Sequence, residues 1–469
     1  MQSISLLKVS FSYQSSDNLF SDLSVVFNAD AKVALIGDNG SGKTTLLKIL
    51  ADKLKPDGGC IVRNASVYLL PQITAHDSKS GGERQQAELV KAFSSGADIL
   101  LLDEPTNNLD TTARAKFFND LNVWRGGAVT VSHDRELLNQ MDFILELSGG
   151  KIRSFGGNYD FYVAQKNVER ENLESQYANA EKRIARLTDT INIATHTRAK
   201  HEAKQKKDRA NKSTGGKMAE NSLKGKSEET ESKRRNLIQK KLDKQSEIRQ
   251  TLSNQLRDDK IKIPMPSKPF IRKELVRVEN LHFGYDTDIF DGLDFKMQGG
   301  ERVRLVGGNG SGKTTLIKLI IGKLKPLSGE IKLFGQAAYL NQDLSLLNPN
   351  KSIVENIMES AGILKHDAHA IAANFGFRGA LSNKKVGVLS GGELLKATLA
   401  AVLGDANQPN LIILDEPTNN LDVKSMGILE NALNQYSGAI LVISHDEIFV
   451  KNLQIDRTEI IKKSNRHTD

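Results

Sequence analysis

The stretch that decides the fold is GDNGSGKTT at 37–45, which occurs a second time as GGNGSGKTT at 307–315. A short apolar run precedes each copy, KVALI at 32–36 and RVRLV at 302–306, and an amphipathic run of helical period follows it. Glycines followed by Lys-Thr between a strand and a helix form the P-loop pattern, in which backbone N–H groups and the helix N-terminus bind phosphate. Apolar strands that alternate with amphipathic helices predict an α/β core with a largely parallel sheet in each copy.

Other motifs repeat in the same order. LLLDEPTNNLD at 100–110 recurs as IILDEPTNNLD at 412–422, and VSHD at 131–134 recurs as ISHD at 443–446. The two P-loops are 270 residues apart, as are Gln72 and Gln342, whereas the later motifs are 312 residues apart. The first copy therefore lacks a block of about 40 residues between its Gln and its DEP motif. We divide the chain into a first cassette at 1–162, a linker at 163–262 and a second cassette at 263–469.

The linker differs from both cassettes in its periodicity. Glycines at 215, 216 and 225 interrupt helix near its middle, and its second half repeats the apolar spacing of the first more weakly. We expect an antiparallel helical hairpin whose first helix has about 40 residues and spans about 60 Å. The apolar seam of that helix steps by four and three residues, as in helices that pack on a partner helix, along Leu173, Tyr177, Ala180, Ile184, Leu187, Ile191 and Ala194.

The linker also holds the whole basic excess of the chain. The net charge is +8, and residues 163–260 alone contain 24 Lys and Arg against 15 Asp and Glu. Residues 198–226, the expected tip of the hairpin, hold ten basic residues against three acidic ones. Such a tip favours binding to RNA, because neutralised phosphates release counterions. A solvated coiled coil whose charges maintain solubility would explain the same composition.

Composition also limits the class of protein. The single cysteine, Cys60, excludes an internal disulfide framework and favours a reducing compartment. No apolar run approaches the ~18 residues that cross a bilayer, and the first ten residues lack the basic flank and apolar stretch of a signal peptide. We expect a cytoplasmic protein.

Each repeated motif predicts a role in ATP hydrolysis. Lys43 and Lys313 are placed to reach the β- and γ-phosphates. Aspartates that end apolar strands hold Mg²⁺ in P-loop proteins, and a following glutamate can act as general base. The predicted catalytic residues are Glu104, Glu416, His133 and His445, and the predicted Mg²⁺ set is Thr44, Asp103, Gln72, Thr314, Asp415 and Gln342. Tyr13 and Tyr285 are candidates to stack on adenine. Surface glutamates, structural histidines and core tyrosines are the alternatives.

SGGE at 80–83 and LSGGE at 389–393 complete a motif set that resembles the ABC ATPase family. In that family two cassettes face each other head to tail, and each ATP lies between the P-loop of one and the SGG of the other. The resemblance places Asp110 and Asp422 near the pseudo-twofold axis. Lys79 stands where the second copy has Leu389, which argues against equal activity at the two sites.

The resemblance also implies which residues bind ATP. Site one would combine Gly37, Asn39, Gly40, Gly42, Lys43, Thr44, Thr45 and Gln72 with Ser390, Gly391 and Gly392. Site two would combine Gly307, Asn309, Gly310, Gly312, Lys313, Thr314, Thr315 and Gln342 with Ser80, Gly81 and Gly82.

The missing block indicates which ABC proteins the chain is similar to. Gln342 and Ser390 are 48 positions apart, whereas Gln72 and Ser80 are eight apart. This interval holds the helical subdomain that docks on membrane subunits in ABC transporters, so we expect that subdomain to be largely absent from the first cassette. Two tandem cassettes joined by a long basic helical linker resemble the ABC-F group. The lost subdomain, Lys79 before SGGE and the long linker together resemble its antibiotic-resistance branch of Vga, Msr and Lsa type.

This resemblance implies an ATPase that uses ATP and Mg²⁺ and binds the ribosome, with large-subunit rRNA and peptidyl-tRNA as contacts. The ATP-closed form would bind, protect the ribosome from antibiotics of the peptidyl-transferase region, and leave on hydrolysis. We expect a monomer with intramolecular cassette pairing and no membrane subunit. Two alternatives stay open: an ABC-F translation factor without a resistance role, and a soluble ATPase subunit of a drug exporter.

Overall fold

The computed structural model describes residues 2–13, 18–70, 81–107, 109–210, 236–253, 256, 261, 263–264, 273–285, 287–308, 310–341, 346–419 and 421–462. The chain divides into two compact units, one made of Met1–Tyr162 with Lys260–Asp469 and the other of Val163–Asp259. The first unit contains both cassettes, and the second contains most of the helical linker.

The first cassette consists of two sheets and four helices. Its strands are β1 (Ser3–Phe11), β2 (Phe20–Asn28), β3 (Lys32–Ile36), β4 (Gly58–Arg63), β5 (Val67–Leu70), β6 (Ile99–Asp103), β7 (Gly127–Val131), β8 (Phe143–Ser148) and β9 (Lys151–Gly156). Its helices are α1 (Lys43–Leu50), α2 (Gly81–Phe93), α3 (Thr111–Val123) and α4 (Arg135–Leu138). The large sheet has the order β5-β6-β7-β3-β8-β9, with parallel neighbours except for the antiparallel pair β8–β9. A smaller antiparallel sheet has the order β2-β1-β4.

The burial of the strands fixes where the functional loops emerge. All five residues of β6 and of β7 are buried, as expected for central parallel strands that are covered on both faces. The P-loop follows β3 and the DEP motif follows β6, and these strands are parallel members of one sheet with β7 between them. Loops at the carboxyl ends of parallel strands meet at one edge of a sheet, so the fold brings the two motifs together.

The second cassette repeats this plan. Its strands are β10 (Glu274–Gly284), β11 (Asp288–Gln298), β12 (Arg302–Val306), β13 (Ser328–Leu333), β14 (Ala337–Leu340), β15 (Leu411–Asp415), β16 (Ala439–Ile443) and β17 (Arg457–Ile460). The parallel sheet has the order β14-β15-β16-β12-β17, and β11-β10-β13 forms the antiparallel sheet. The predicted α/β fold with two tandem cassettes is confirmed.

A helical subdomain distinguishes the second cassette from the first. The linker helices are α5 (Tyr159–Ala210) and α6 (residues 236–253), and the helices of the second cassette follow as α7 (Lys313–Ile320), α8 (Ile353–Ala361), α9 (Lys365–Asn374), α10 (Gly391–Leu403), α11 (Val423–Gln435) and α12 (Glu447–Asn452). Fifty residues separate β14 from α10, which starts at the SGGE motif, and they contain α8 and α9, whereas ten residues separate β5 from α2. The predicted loss of this subdomain from the first cassette is confirmed.

The linker unit is a helical hairpin. Its two helices, α5 (Tyr159–Ala210) and α6 (residues 236–253), run antiparallel. Residues 183–187 lie opposite 241–245, and Tyr177 lies opposite Arg249 and Ser253. The described residues of the predicted seam, from Leu173 to Ile191, are half-buried or buried. The first helix has 52 residues instead of the predicted 40, and it begins at Tyr159. None of the described helices is both long and apolar enough to cross a membrane.

The helix begins four residues before the predicted linker boundary at 163, and aromatic residues of its first turn pack on the first cassette. Asn158 accepts a hydrogen bond from the backbone N–H of Phe161 at 3.2 Å, as a helix N-cap does. Tyr162 donates its hydroxyl to Glu146 Oε1 at 2.9 Å, and its ring packs edge-on against Phe155. The tip predicted at 198–226 lies largely outside the described residues.

Candidate functional site

The two P-loops have the same geometry. Lys43 Nζ donates to the carbonyl oxygens of Gly37 and Asp38 at 2.7 and 3.1 Å, and Lys313 Nζ donates to those of Gly307 and Gly308 at the same distances. Each ammonium group is thereby held inside its loop. A lysine in this position needs no large rearrangement to bind phosphate oxygens.

The glycine that precedes each lysine is required by the backbone. Gly42 and Gly312 both have φ 99°, and they are the N-caps of α1 and α7. A Cβ on Gly42 would lie 2.7 Å from Leu19 Cδ2, and one on Gly312 would lie 2.5 Å from Ile289 Cγ2. No side chain fits there, so the loop keeps its N–H groups directed at the phosphate position.

The threonine and aspartate predicted to hold Mg²⁺ are in contact in both cassettes. The side chain of Thr44 hydrogen-bonds Asp103, and Thr314 Oγ1 donates to Asp415 Oδ1 at 3.3 Å. Burial raises the pKa of the Asp103 carboxyl above its usual value. A hydroxyl and a buried carboxylate side by side suit a hard divalent cation that completes its shell with phosphate and water, so these residues fit Mg²⁺.

A tyrosine that the sequence did not single out contacts the aspartate of the second cassette. Tyr339 on β14 donates its hydroxyl to Asp415 Oδ2 at 3.0 Å. Tyr339 pairs with Ile413, two residues before Asp415, and the corresponding residue of the first cassette is Leu69, which pairs with Leu101. The two sites therefore differ in how firmly the aspartate is held.

The predicted general base of site one is buried beside its histidine. Glu104 Oε1 lies 3.5 Å from His133 Nε2. Burial, together with the neighbouring Asp103, raises the pKa of Glu104 to about 8. Burial, assisted by Lys43, lowers the pKa of His133 to about 4, so the imidazole is neutral at pH 7. A carboxyl with a pKa near the working pH is suited to general-base catalysis.

Site two contains the equivalent glutamate–histidine pair, and the pKa of its glutamate is raised less than in site one. Glu416 Oε1 lies 3.4 Å from His445 Nε2, and the backbone N–H of His445 donates to Glu416 Oε2 at 3.3 Å. Burial raises the pKa of Glu416 to about 7 and lowers that of His445 to about 4. Glu104 and Glu416 have φ of 49° and 48°, a strained conformation for a residue with a side chain. Strain at both matched positions supports a functional constraint.

Two cavities are each lined by residues of both cassettes. A cavity of about 590 Å³ is lined by the second P-loop from Gly310 to Thr315, by Glu416 and His445, and, from the first cassette, by Gly82. A second cavity of about 460 Å³ is lined by Asn39, Gly40 and residues 42–45 of the first P-loop, with Asn419 from the second cassette. Each cavity thus contains a P-loop of one cassette and residues of the other.

The second signature faces the first P-loop. Ser390 is the N-cap of α10, and together with Glu393 it forms a capping box. A Cβ on Gly391 would lie 3.5 Å from Asn39 Nδ2, and the backbone N–H of Asn39 donates to Asp422 Oδ2 at 3.3 Å. Gly392 lies in the first turn of the same helix. The structure therefore joins these parts of site one across the cassette interface.

The two candidate adenine-stacking residues lie at the cavities. Tyr13 and Tyr285 are 49% and 64% exposed, which is incompatible with a core role. Tyr285 lines the cavity of the second P-loop, and Tyr13 lines that of the first, where its hydroxyl lies 2.9 Å from Thr45 Oγ1. Four predicted site residues lie outside the described residues: Gln72, Ser80, Asn309 and Gln342. Gly81 is described as the first residue of α2.

Two buried arginines of the first cassette contact the second. Arg135 Nη1 lies 2.6 Å from Glu430 Oε1, and these side chains are 7% and 12% exposed. Arg114 Nη1 donates to the backbone carbonyl of His445 at 2.5 Å. Neither contact is visible in the sequence, because the partners are 295 and 331 residues apart.

The linker unit contains a basic cleft between its two helices. Arg183, Arg186 and Leu187 of α5 and Lys241, Lys244 and Gln245 of α6 line a space of about 420 Å³. None of these four cationic side chains forms an ion pair with a residue that the structure describes. All four cationic side chains are exposed to solvent. Exposed cations on one surface favour a polyanionic partner, because neutralised phosphates release counterions.

Comparisons with known proteins agree with this geometry. A family model described as ABC transporter matches residues 20–79 and 290–419, and a second model with the same description matches 145–221. Erythromycin resistance ATP-binding protein MsrA of Staphylococcus epidermidis is 32% identical over 92% of this chain and 92% of its own length. Ribosome protection protein VmlR of Bacillus subtilis is 30% identical over 89% of this chain and 80% of its own length.

Two further relatives are covered over less of their length. Energy-dependent translational throttle protein EttA of Mycobacterium tuberculosis is 34% identical over 81% of this chain, which spans 62% of that protein. ABC transporter F family member 2 of Arabidopsis thaliana is 33% identical over 80% of this chain, which spans 51% of that protein. The crystal structure of the archaeal ribosome recycling factor aABCE1 with the stalk protein aP1 has a TM-score of 0.57 at 19% identity, with 97% of this chain and 87% of that chain covered. That likeness shows the fold.

Proposed function

The chain belongs to the ABC-F family of ATP-hydrolysing ATPases, and from this premise we propose that it binds the ribosome in an ATP-closed state and protects it from antibiotics of the peptidyl-transferase region. Hydrolysis would reopen the cassettes and release the protein. The observation that carries the RNA-binding part is the basic cleft of the hairpin, where Arg183, Arg186, Lys241 and Lys244 stand together.

We assign the chemistry to residues of both cassettes. Lys43 and Lys313 bind the β- and γ-phosphates, and Glu104 and Glu416, with their raised pKa values, accept a proton from the attacking water. The neutral His133 or His445 beside each glutamate orients that water and the γ-phosphate. Mg²⁺, held by the Thr–Asp pairs, would neutralise phosphate charge.

The remaining predicted residues support the same assignment. Gln72 and Gln342 would sense Mg²⁺ and the γ-phosphate, and Tyr13 and Tyr285 would stack on adenine at the open ends of the cavities. The signature glycines of each cassette would contact the nucleotide of the other. Because each site draws on both cassettes, ATP is bound fully only when the cassettes are together. ATP therefore acts as a ligand with different affinity for the open and closed states, which is the condition for a conformational switch.

The names of the relatives support the ribosome as partner. VmlR is a ribosome protection protein, EttA is a translational throttle protein, and MsrA confers erythromycin resistance. The cationic hairpin is consistent with an rRNA or tRNA contact that is based on phosphates and is salt-dependent. By contrast, the loss of the helical subdomain from the first cassette removes the usual docking element of an exporter subunit.

A second candidate function is regulation of translation without drug protection, which the similarity to EttA favours. Expression in a drug-sensitive host separates the two. Protection against any of the lincosamides, pleuromutilins, streptogramins or macrolides supports the resistance role, and sensitivity to all of them supports the regulator.

Ribosome binding is tested with the double variant Glu104→Gln and Glu416→Gln. Loss of both bases should hold the ATP-closed state, so the variant should sediment with ribosomes in ATP and not in ADP. The matched control is Glu88→Gln with Glu359→Gln, which makes the same charge change at surface ion pairs and should behave as wild type. Sedimentation of the double base variant free of ribosomes in ATP would contradict the proposal.

A further inference from the structure

Arg114 connects the histidine loops of the two cassettes. It lies on α3 of the first cassette and is 7% exposed. Its Nε and Nη2 donate to Asp134 Oδ2 and Oδ1 at 2.9 and 2.7 Å, and Asp134 directly follows His133. Its remaining Nη1 donates to the backbone carbonyl of His445 at 2.5 Å. One planar guanidinium therefore holds both loops at once.

The contact at His445 completes a clamp on the backbone of that residue. The N–H of His445 donates to Glu416 Oε2 at 3.3 Å, and its carbonyl accepts from Arg114. The imidazole in turn lies 3.4 Å from Glu416 Oε1. A displacement of Arg114 therefore changes the position of the histidine relative to the base of site two.

Among the residues that the structure describes, none forms an equivalent clamp from the second cassette onto His133. The residue 312 positions after Arg114 is Met426, which is 1% exposed and belongs to the apolar core of the second cassette. Its thioether has no hydrogen to donate to the carbonyl of His133. The connection between the two loops is thus asymmetric in a chain whose motifs are otherwise repeated.

We propose that Arg114 is a positioning residue for ATP hydrolysis at site two, and that through Asp134 it makes turnover at site two depend on the histidine loop of site one, without the reverse dependence. When the loop of site one moves, Asp134 moves the guanidinium and releases the carbonyl of His445. The inference rests on the roles proposed for His445 and Glu416.

Lysine is the informative substitution. A lysine at 114 keeps the charge and can still pair with Asp134, but it lacks the planar fork that reaches Asp134, Glu136 and the carbonyl of His445 together. Each site is isolated by disabling the other: Glu104→Gln leaves site two active, and Glu416→Gln leaves site one active. If the double base variant hydrolyses ATP as fast as wild type, the assigned bases are wrong, and this failure is distinct from that of the Arg114 inference.

We expect Arg114→Lys to slow ATP hydrolysis at site two and not at site one. With site two active, Arg114→Lys should lower kcat by about 10-fold or more, because small misplacements of a reacting group are costly, and KM for ATP should stay unchanged. With site one active, kcat should stay within about 2-fold. Activity retained at site one would also show that the Arg114→Lys variant is folded.

Arg135→Lys is the matched control, since it changes a second buried arginine at the same interface that does not touch His445. It should affect the two sites alike. Equal losses at both sites with Arg114→Lys, or a rise in KM with kcat unchanged, would overturn the inference.

Discussion

The ion pair between Arg135 and Glu430 should stabilise the closed pair of cassettes. Its atoms are 2.6 Å apart, the side chains are 7% and 12% exposed, and Asn452 Nδ2 donates to the other carboxylate oxygen at 3.1 Å. Removing one partner of a buried pair leaves an uncompensated charge at a cost of about 3–5 kcal/mol. Asp446 also interacts favourably with Arg135, so we expect a value near about 3 kcal/mol for Glu430→Ala.

This cost falls on the closed state, because both ions are hydrated when the cassettes separate. About 3 kcal/mol corresponds to roughly a 100-fold lower equilibrium constant for closure. Because closure binds two ATP molecules, the ATP concentration for half-maximal closure should rise about 10-fold. Closure can be measured by energy transfer between a dye on Cys60, the single cysteine of the chain, and one on Leu364→Cys, since both positions are exposed. The base-deficient double variant provides the background, so that ATP persists.

A double-mutant cycle separates the pair from its surroundings. Arg135→Ala should shift closure about as much as Glu430→Ala, and the two together should shift it by much less than the sum. Arg135→Met with Glu430→Leu should restore closure, because apolar residues of similar volume replace a buried pair without loss. Shifts below about 2-fold for each single variant, or strictly additive shifts, would refute this reasoning.

Three further predictions concern the individual sites and the hairpin. Because the ionised carboxylate is the active base, kcat/KM should fall as the pH drops through its pKa. The Glu416→Gln variant, which keeps site one, should lose activity below about pH 8, and the Glu104→Gln variant, which keeps site two, below about pH 7. Activity that falls at the same pH in both variants would contradict the pKa difference. Tyr339→Phe should raise the Mg²⁺ concentration for half-maximal turnover of site two by about 10-fold and leave site one unchanged, and an equal change at both sites would contradict the role of that hydroxyl. Lys241→Gln with Lys244→Gln should reduce the slope of log affinity for ribosomes against log salt by about 2, and an unchanged slope would remove the cleft from the RNA contact.

The P-loop glycines could be read from the sequence because their requirement is local. Gly42 has φ 99°, which glycine adopts without the strain that a side chain would bring. The signature has a second local meaning that the sequence analysis did not use. The Ser-x-x-Glu spacing of Ser390 and Glu393 forms a capping box at the start of α10. The same residues that we propose to contact the nucleotide therefore also begin the helix.

The start of the linker helix also has a local signal in the sequence. Asn158 precedes the first turn and accepts from the N–H of Phe161, which is a standard N-cap signal. The apolar heptad seam begins later, at Leu173, because the first turns of the helix carry Tyr159 and Tyr162. Tyr159 is buried against the cassette, and Tyr162 is bonded to Glu146 there. A boundary drawn from periodicity alone follows the seam and omits the turns that anchor the helix.

The contacts between the cassettes could not be predicted from the sequence, and the reason is physical. Arg114 and Arg135 lie in ordinary positions of short helices, and nothing within several residues of either indicates a buried partner. Each gains its partner only when the chain brings residues about 300 positions away into contact. Sequence repeats show which residues are equivalent, but a polar contact across the interface depends on both surfaces at once.

Two departures from equivalence between the cassettes add a contact at site two. Arg114 corresponds to Met426 and contacts His445, and Tyr339 corresponds to Leu69 and contacts Asp415. The motifs proposed to contact ATP are nearly identical in sequence, so binding of ATP should differ little between the sites. The differences lie one layer out, where they hold an aspartate or a histidine loop and thereby change how fast a bound ATP is hydrolysed. Site two carries both of the added contacts, from Arg114 and from Tyr339. Its turnover should therefore depend on the closed arrangement more strongly than that of site one, and this makes site two the candidate for the step that times release.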